Sequence, residues 1–254
     1  MSSELAGKTI IVTGAGSGIG KASARLFAMA GAYLLLADVN VKNGESLANE
    51  LTANGKMARF IRTDVSSEDD VRAMVDAALD SFSRIDGAFN NAGVGYSNKR
   101  LHLVEQAEWH HTLGIDLTGV FLCMKYEIAA MLKTGGGSIV NTGSVASILA
   151  LPAAPEYVTA RHGILGPTRS AALDYGKDKI RVNVIYPGAT DTPMINVQQQ
   201  KRIAAQEKGT SHQPVLGRSG SAEEVGQGAL WLLSDAASYV TGSALTVDGG
   251  FTLQ

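Results

Sequence analysis

The run Thr9-Ile10-Ile11-Val12-Thr13-Gly14-Ala15-Gly16-Ser17-Gly18-Ile19-Gly20 decides how the rest of the chain is read. Thr9 to Val12 is β-branched throughout, the pattern of a buried strand, and Lys21 to Ala30 has the character of a helix. Strand, glycine turn and helix together make a seat for a pyrophosphate. N–H groups at a helix N-terminus lack partners, and the helix dipole favours an anion there. Glycine at Gly14, Gly18 and Gly20 lets the backbone approach phosphates without a Cβ in the way. A glycine triplet alone is weak evidence in a chain with 29 glycines. The next strand strengthens it: Tyr33-Leu34-Leu35-Leu36-Ala37 runs into Asp38, a carboxylate placed to accept both ribose hydroxyls of an adenosine.

By length alone the 254 residues could hold one or two domains, but a single α/β sheet often runs this long. With 22 basic and 24 acidic residues the net charge is −2, which gives no reason to expect nucleic acid or an anionic membrane as partner. Cys123, the single cysteine, sits in an apolar helical pattern and reads as core; it excludes an intrachain disulfide and a cysteine-cluster metal site. No other cluster has metal-ligand spacing. No charged start leads into a long apolar stretch, and no apolar run suffices for a bilayer, so a cytoplasmic location is expected.

Outward from the glycine turn, short apolar strands alternate with amphipathic helices. Asn43 to Asn54 has helical spacing, and Met57 to Thr63 reads as a strand ending at Asp64. Ser66 and Ser67 offer N-caps before Glu68, Asp69 and Asp70, and Val71, Met74, Val75, Ala78 and Phe82 share the face of the helix that follows. Ile85 to Phe89 is the next strand, closed by Asn90-Asn91-Ala92-Gly93. One long helix is expected from Glu105 to Lys133, stopped by Gly135-Gly136-Gly137. Ser138 to Thr142, Ile180 to Ile185 and Ala244 to Val247 complete the strands, with a helix over Pro155 to Tyr175. The expected fold is a single α/β domain over 1–254: a doubly wound, mostly parallel seven-stranded sheet with helices on both faces. Ligands of such sheets lie beyond the carboxyl ends of the strands, where Gly14, Asp38, Asp64, Asn90, Ser144 and Pro187 all fall. The irregular stretch 188–217 reads either as a lid, with Met194 and Gln198–Gln200 lining it, or as a surface excursion. Tyr96 either borders the pocket or is an ordinary loop residue, and Trp231 reads as core or as an oligomer contact.

In order along the chain, Thr13-Gly-x-x-x-Gly18-x-Gly20, Asn90-Asn91-Ala92-Gly93, Ser144, Tyr157, Pro187-Gly188 and Val247-Asp248-Gly249-Gly250 resemble the short-chain dehydrogenase/reductase family. The resemblance implies a Rossmann fold, a nicotinamide cofactor and hydride transfer between a secondary alcohol and its ketone. It also implies a homotetramer or homodimer packed through the two long helices. Gly14, Ser17, Gly18, Ile19 and Gly20 match the phosphate turn, Asp64 and Val65 the pair beside the adenine, and Asn90, Ala92 and Gly93 the wall along the ribose. Pro187, Gly188, Thr190 and Thr192 match the loop over the nicotinamide amide. Asp38 would repel a 2′-phosphate, and the neutral Val39-Asn40-Val41 after it offers no cation, so NAD is the expected cofactor.

By the same resemblance Tyr157 is the general acid/base, and Ser144 hydrogen-bonds the oxygen of a small alcohol or ketone substrate. Free tyrosine ionises near pH ~10, so the family places a lysine one helical turn later to help. Here Arg161 stands there, and Asp116 replaces the family's asparagine. Arg161 can still bind a ribose diol and stabilise a tyrosinate, but it does not give up its proton. The two departures are expected to be linked, with Asp116 facing Arg161. Ser144-Tyr157-Arg161 also resembles the catalytic set of the halohydrin dehalogenases, cofactor-independent relatives in which tyrosine deprotonates a halo-alcohol as halide leaves. A third reading is a weakly active NAD-binding protein.

Overall fold

Strand β1 (Thr9–Thr13) is buried along its whole length, and its side chains alternate between two cores. Ile10 and Val12 enter one and Ile11 the other; in β2 (Tyr33–Asp38), Leu34 and Leu36 likewise oppose Leu35. A strand covered on both faces has no polar side, which is why these runs are continuously apolar. The structure is a computed structural model that describes residues 3–195 and 213–253.

Among the described residues the remaining strands and α-helices begin with α1 (Gly18–Met29), α2 (Val41–Ala53), β3 (Ala58–Arg62), α3 (Glu68–Phe82), β4 (Gly87–Asn90) and α4 (Gln106–Leu113). They continue with α5 (Gly119–Thr134), β5 (Gly137–Thr142), α6 (Pro155–Gly163), α7 (Leu165–Tyr175), β6 (Ile180–Pro187), α8 (Ala222–Leu233) and β7 (Ala244–Val247). Among the described residues every strand pairing is parallel, in the order β3-β2-β1-β4-β5-β6-β7. The order reverses between β1 and β4, so a crevice opens beyond their carboxyl ends. Phe27, Leu47, Val225 and Leu230 of α1, α2 and α8 pack on one face; Val71, Met74, Cys123, Met131 and Ala171 of α3, α5 and α7 pack on the other. Each fully buried Val, Leu, Met or Phe among them contributes about 1.5–3 kcal/mol. Among the described residues no helix is long and apolar enough to cross a membrane.

The helix ends follow local chemistry. Ser67 caps α3, its hydroxyl accepting the Asp70 N–H at 3.3 Å, while Glu68, Asp69 and Asp70 complement the helix dipole. Gly135, at φ 98°, ends α5.

Two expected helices are broken. The run Glu105–Lys133 is α4, a π turn over Gly114–Thr118, and α5. The π turn is wedged between neighbours: a Cβ on Gly119 would lie 2.8 Å from Val65 Cγ2, and one on Gly163 would lie 2.9 Å from Leu117 Cδ1. The run Pro155–Tyr175 divides at Ile164 into α6 and α7. Of the irregular stretch 188–217, residues 196–212, including Gln198–Gln200, lie outside the described residues. Its near part pairs Thr190 with Gly220 through an isolated parallel bridge.

Candidate active site

The glycine turn is shaped by close backbone approach. Gly14 is left-handed (φ 65°), and a Cβ there would lie 2.9 Å from Ala92 Cα. A Cβ on Gly20 would run into the Gly14 carbonyl oxygen, so Gly20 lies under the turn rather than on its surface. Thr13 Oγ1 accepts the N–H groups of Asn91 and Ala92, both at 3.0 Å, and Asn91 Nδ2 donates to the Thr13 carbonyl at 3.2 Å. These bonds stitch the end of β1 to the end of β4. Ser17 stands at the N-cap of α1 without using its side chain as a cap, and no acid occupies the first turn. That helix end is open to a ligand anion.

Asp38 is fixed by two backbone donors, Gly16 N–H to Oδ2 and Asn40 N–H to Oδ1, each at 2.8 Å. Each oxygen keeps a lone pair for a diol. Asp64 Oδ1 accepts from the Ser66 N–H at 3.0 Å and from the Ser66 hydroxyl at 2.6 Å, which holds the next turn in place.

A cavity of about 780 Å3 runs from this turn to the end of β5. Gly14, Ser17, Gly18, Ile19, Asp38, Asp64, Val65, Ala92 and Gly93 line one part. Ser144, Tyr157, Arg161, Pro187, Gly188, Thr190 and Thr192 line the other. Thr192 closes over the turn: a Cβ on Gly18 would lie 3.3 Å from its Cγ2. Val94, Tyr96, Leu151, Pro152, Met194, Ile195 and Phe251 add an apolar wall to the same cavity. An uncapped helix end, a glycine cradle that a Cβ would fill and a pinned carboxylate on one elongated groove fit a nicotinamide dinucleotide.

The reacting groups meet at its inner end. Ser144 Oγ accepts the Ala146 N–H at 3.1 Å, which leaves the hydroxyl proton for a substrate oxygen. Tyr157 and Arg161 lie one turn apart on α6, with the guanidinium carbon 4.9 Å from the centroid of the phenol ring. Arg161 is buried; Nη1 donates to the Thr142 carbonyl at 2.7 Å, and Nη2 meets Asp116 Oδ2 at 3.0 Å. The linked departure is therefore a direct ion pair. Asp116 Oδ1 also accepts the Val94 N–H at 2.8 Å. Burial pushes the Asp116 carboxyl up to about 6, although Arg161 and the Val94 N–H pull the other way. Burial works against the Arg161 cation, but Asp116 and then Tyr157 outweigh it and hold the guanidinium above its ordinary value.

Besides Gly20, which lies under the turn and outside the cavity lining, two positions depart from the sequence expectation. Asp116 lies beneath the cavity, so it acts on the site only through Arg161 and Val94. Asn90, expected along the ribose, turns into the core: its Nδ2 donates to Glu127 Oε2 at 3.0 Å and to Asn141 Oδ1 at 3.1 Å. Strand alternation is the reason, because Asn91, one residue on, takes the side facing the turn. Complete burial pushes Glu127 up to about 7, against the pull of the Asn90 amide. Sequence reasoning missed Glu156, whose buried carboxylate accepts the Ser97 N–H at 2.6 Å. An acid in the first turn of a helix looks like a dipole complement on the surface.

Residues 14–252 match the family model described as enoyl-(acyl carrier protein) reductase. The chain is 47% identical over 251 residues to a 2,5-dichloro-2,5-cyclohexadiene-1,4-diol dehydrogenase of Sphingobium indicum, across 98% of this chain and 99% of that protein. It is 37% identical over 253 residues to a cyclohexanol dehydrogenase of an Acinetobacter species, across 99% and 98%. The crystal structure of a levodione reductase superposes with a TM-score of 0.91 at 37% identity, covering 98% of this chain and 99% of that one. Seven parallel strands, the glycine cradle and these full-length matches agree: the chain belongs to the short-chain dehydrogenase/reductase family and, with its alcohol and diol dehydrogenase relatives, is an oxidoreductase of a secondary alcohol and its ketone.

Proposed function

We propose that the protein is an NAD(H)-dependent dehydrogenase of ring-shaped secondary alcohols, with Ser144, Tyr157 and Arg161 as its reacting set. The observation that carries the cofactor is Asp38. Its carboxylate is held rigidly at the end of β2, and Val39, Asn40 and Val41 after it bring no cation to offset a 2′-phosphate. A nicotinamide bound in the groove supplies or accepts the hydride. Ser144 orients the substrate oxygen through its hydroxyl proton, and Tyr157 takes that oxygen's proton on oxidation or returns it on reduction. Arg161 stabilises the tyrosinate, and its hydrogen bond to the Thr142 carbonyl together with its ion pair to Asp116 keeps it from swinging away. A ring substrate suits the apolar wall of the cavity, and it accords with the ring alcohols in the names of the Sphingobium and Acinetobacter relatives. Leu173, 84% exposed on α7, and half-exposed Phe121 on α5 support a homotetramer or homodimer built on those helices.

Calorimetric titration with NAD and NADP, followed by turnover of cyclohexanol, tests this. NAD is expected to bind the tighter and cyclohexanol to be oxidised, and Tyr157→Phe to cut kcat at least a hundredfold with NAD affinity kept. Unchanged turnover in that variant removes Tyr157 from the mechanism. Arg161 favours a second reading, in which Tyr157 deprotonates a vicinal halo-alcohol, the alkoxide closes an epoxide and halide leaves. Halide release without dinucleotide binding would establish it instead.

A further inference from the structure

The turn after β4 hangs from two buried carboxylates. Asp116 accepts the N–H of Val94 at 2.8 Å, and Glu156 accepts the N–H of Ser97, three residues on, at 2.6 Å. Both acids are wholly shut off from solvent. The other Glu156 oxygen, Oε2, is buried with no hydrogen-bond partner among the described residues. The bond to the Ser97 N–H is thus the hydrogen bond that ties the Glu156 side chain to the turn. Between the two anchored amides lie Gly95 and Tyr96. Tyr96 lines the cavity, its ring centroid 5.7 Å from that of Tyr157. Immediately after the anchored amide, Asn98 is left-handed (φ 65°) and turns the chain away.

We propose that Glu156 is a positioning residue for substrate selection: by holding the Ser97 amide it sets Tyr96 against Tyr157 as the wall that a ring-shaped alcohol fills. The proposal rests on the dehydrogenase reading above. Glu156 neighbours Tyr157 in sequence, yet successive helical side chains leave the axis about 100° apart, so its carboxylate acts on the turn and not on the phenol hydroxyl. An acyclic alcohol such as 2-propanol is too small to need that wall, whereas cyclohexanol fills it. Loss of the clamp therefore weakens discrimination rather than chemistry.

The test compares kcat/KM for cyclohexanol and 2-propanol in the full chain. Glu156→Ala is expected to lower the cyclohexanol to 2-propanol ratio about tenfold, mainly through KM for cyclohexanol. Glu156→Gln, which keeps a carbonyl acceptor, is expected to retain the ratio within about threefold. Tyr96→Ala is expected to lower the ratio as far as Glu156→Ala does, with no further fall when the two are combined. An unchanged ratio in Glu156→Ala, an equal fall for both alcohols, or a fall in Glu156→Gln as deep as in Glu156→Ala would overturn the proposal. Hydrogen exchange on the wild-type chain needs no variant: the Ser97 amide is expected to be protected, and exchange at the rate of a free peptide would sink the clamp. If the wild type turns over neither alcohol, the dehydrogenase reading fails, and the exchange measurement still decides whether the clamp exists.

Discussion

Asp116 and Arg161 meet at 3.0 Å away from solvent, the acid held in the π turn and the cation on the helix that carries Tyr157. Removing one partner of such a pair strands the other charge, at about 3–5 kcal/mol, whereas removing both is close to neutral. Asp116→Asn and Arg161→Met are each expected to lower stability by about 3 kcal/mol in urea denaturation, and the double variant to recover most of it. Turnover is expected to stay low in the double variant, because Tyr157 has lost its cation. Recovery of both together would show that Arg161 is structural only.

Glu127 makes stability depend on pH. Its carboxyl lies at about 7 in the folded chain against an ordinary value of 4.5. Between those values the folded state keeps a proton that the unfolded chain has released. Its stabilising contribution is present below the lower value and is lost as pH rises through the upper one. The loss amounts to roughly 3 kcal/mol. Urea midpoints measured between about pH 5 and pH 8 are expected to fall in the wild type and to fall much less in Glu127→Gln. Asp116, pushed up to about 6, sustains a residual slope.

Gly93 leaves room for the guanidinium. A Cβ on it would collide with Arg161 Nη2 and lie 3.1 Å from Asp116 Oδ1. Gly93→Ala must therefore shift the pair or the Val94 turn. A fall of at least tenfold in kcat is expected, with a loss of about 1–3 kcal/mol in thermal or urea stability. Wild-type kcat in this variant would mean that the position of Arg161 does not matter to the reaction.

Asp38→Ser removes the charge at the proposed ribose site while keeping a short polar side chain. NAD affinity is expected to fall about tenfold or more by calorimetry, and the NAD to NADP preference to narrow by a similar factor. Equal effects on both dinucleotides would place the adenosine ribose elsewhere.

The sheet is largely legible in the sequence, because strands buried on both faces appear as β-branched or leucine runs, as in Ile10 to Val12 and Leu34 to Leu36. The π turn is not: Val120, Cys123 and Met131 keep helical spacing past it, so the extra residue leaves no mark in the apolar pattern. Asp38 is legible from its place at a strand end, and Asp116 from its departure from a family pattern. Asn90 and Glu156 show the limit. Which way a strand-end side chain turns, and whether an acid at a helix start is solvated or swallowed, depends on neighbours far away in the chain.

Because all seven strands run the same way, every return from helix to strand falls at the edge of the sheet opposite the groove. The turn between α2 and β3 is one of these, and a Cβ on Gly55 there would meet nothing within 4 Å. A peptide tag or a resin linkage inserted beside Gly55 would thus leave the mouth of the cavity facing bulk solution, and the immobilised protein is expected to work as fast as the free one.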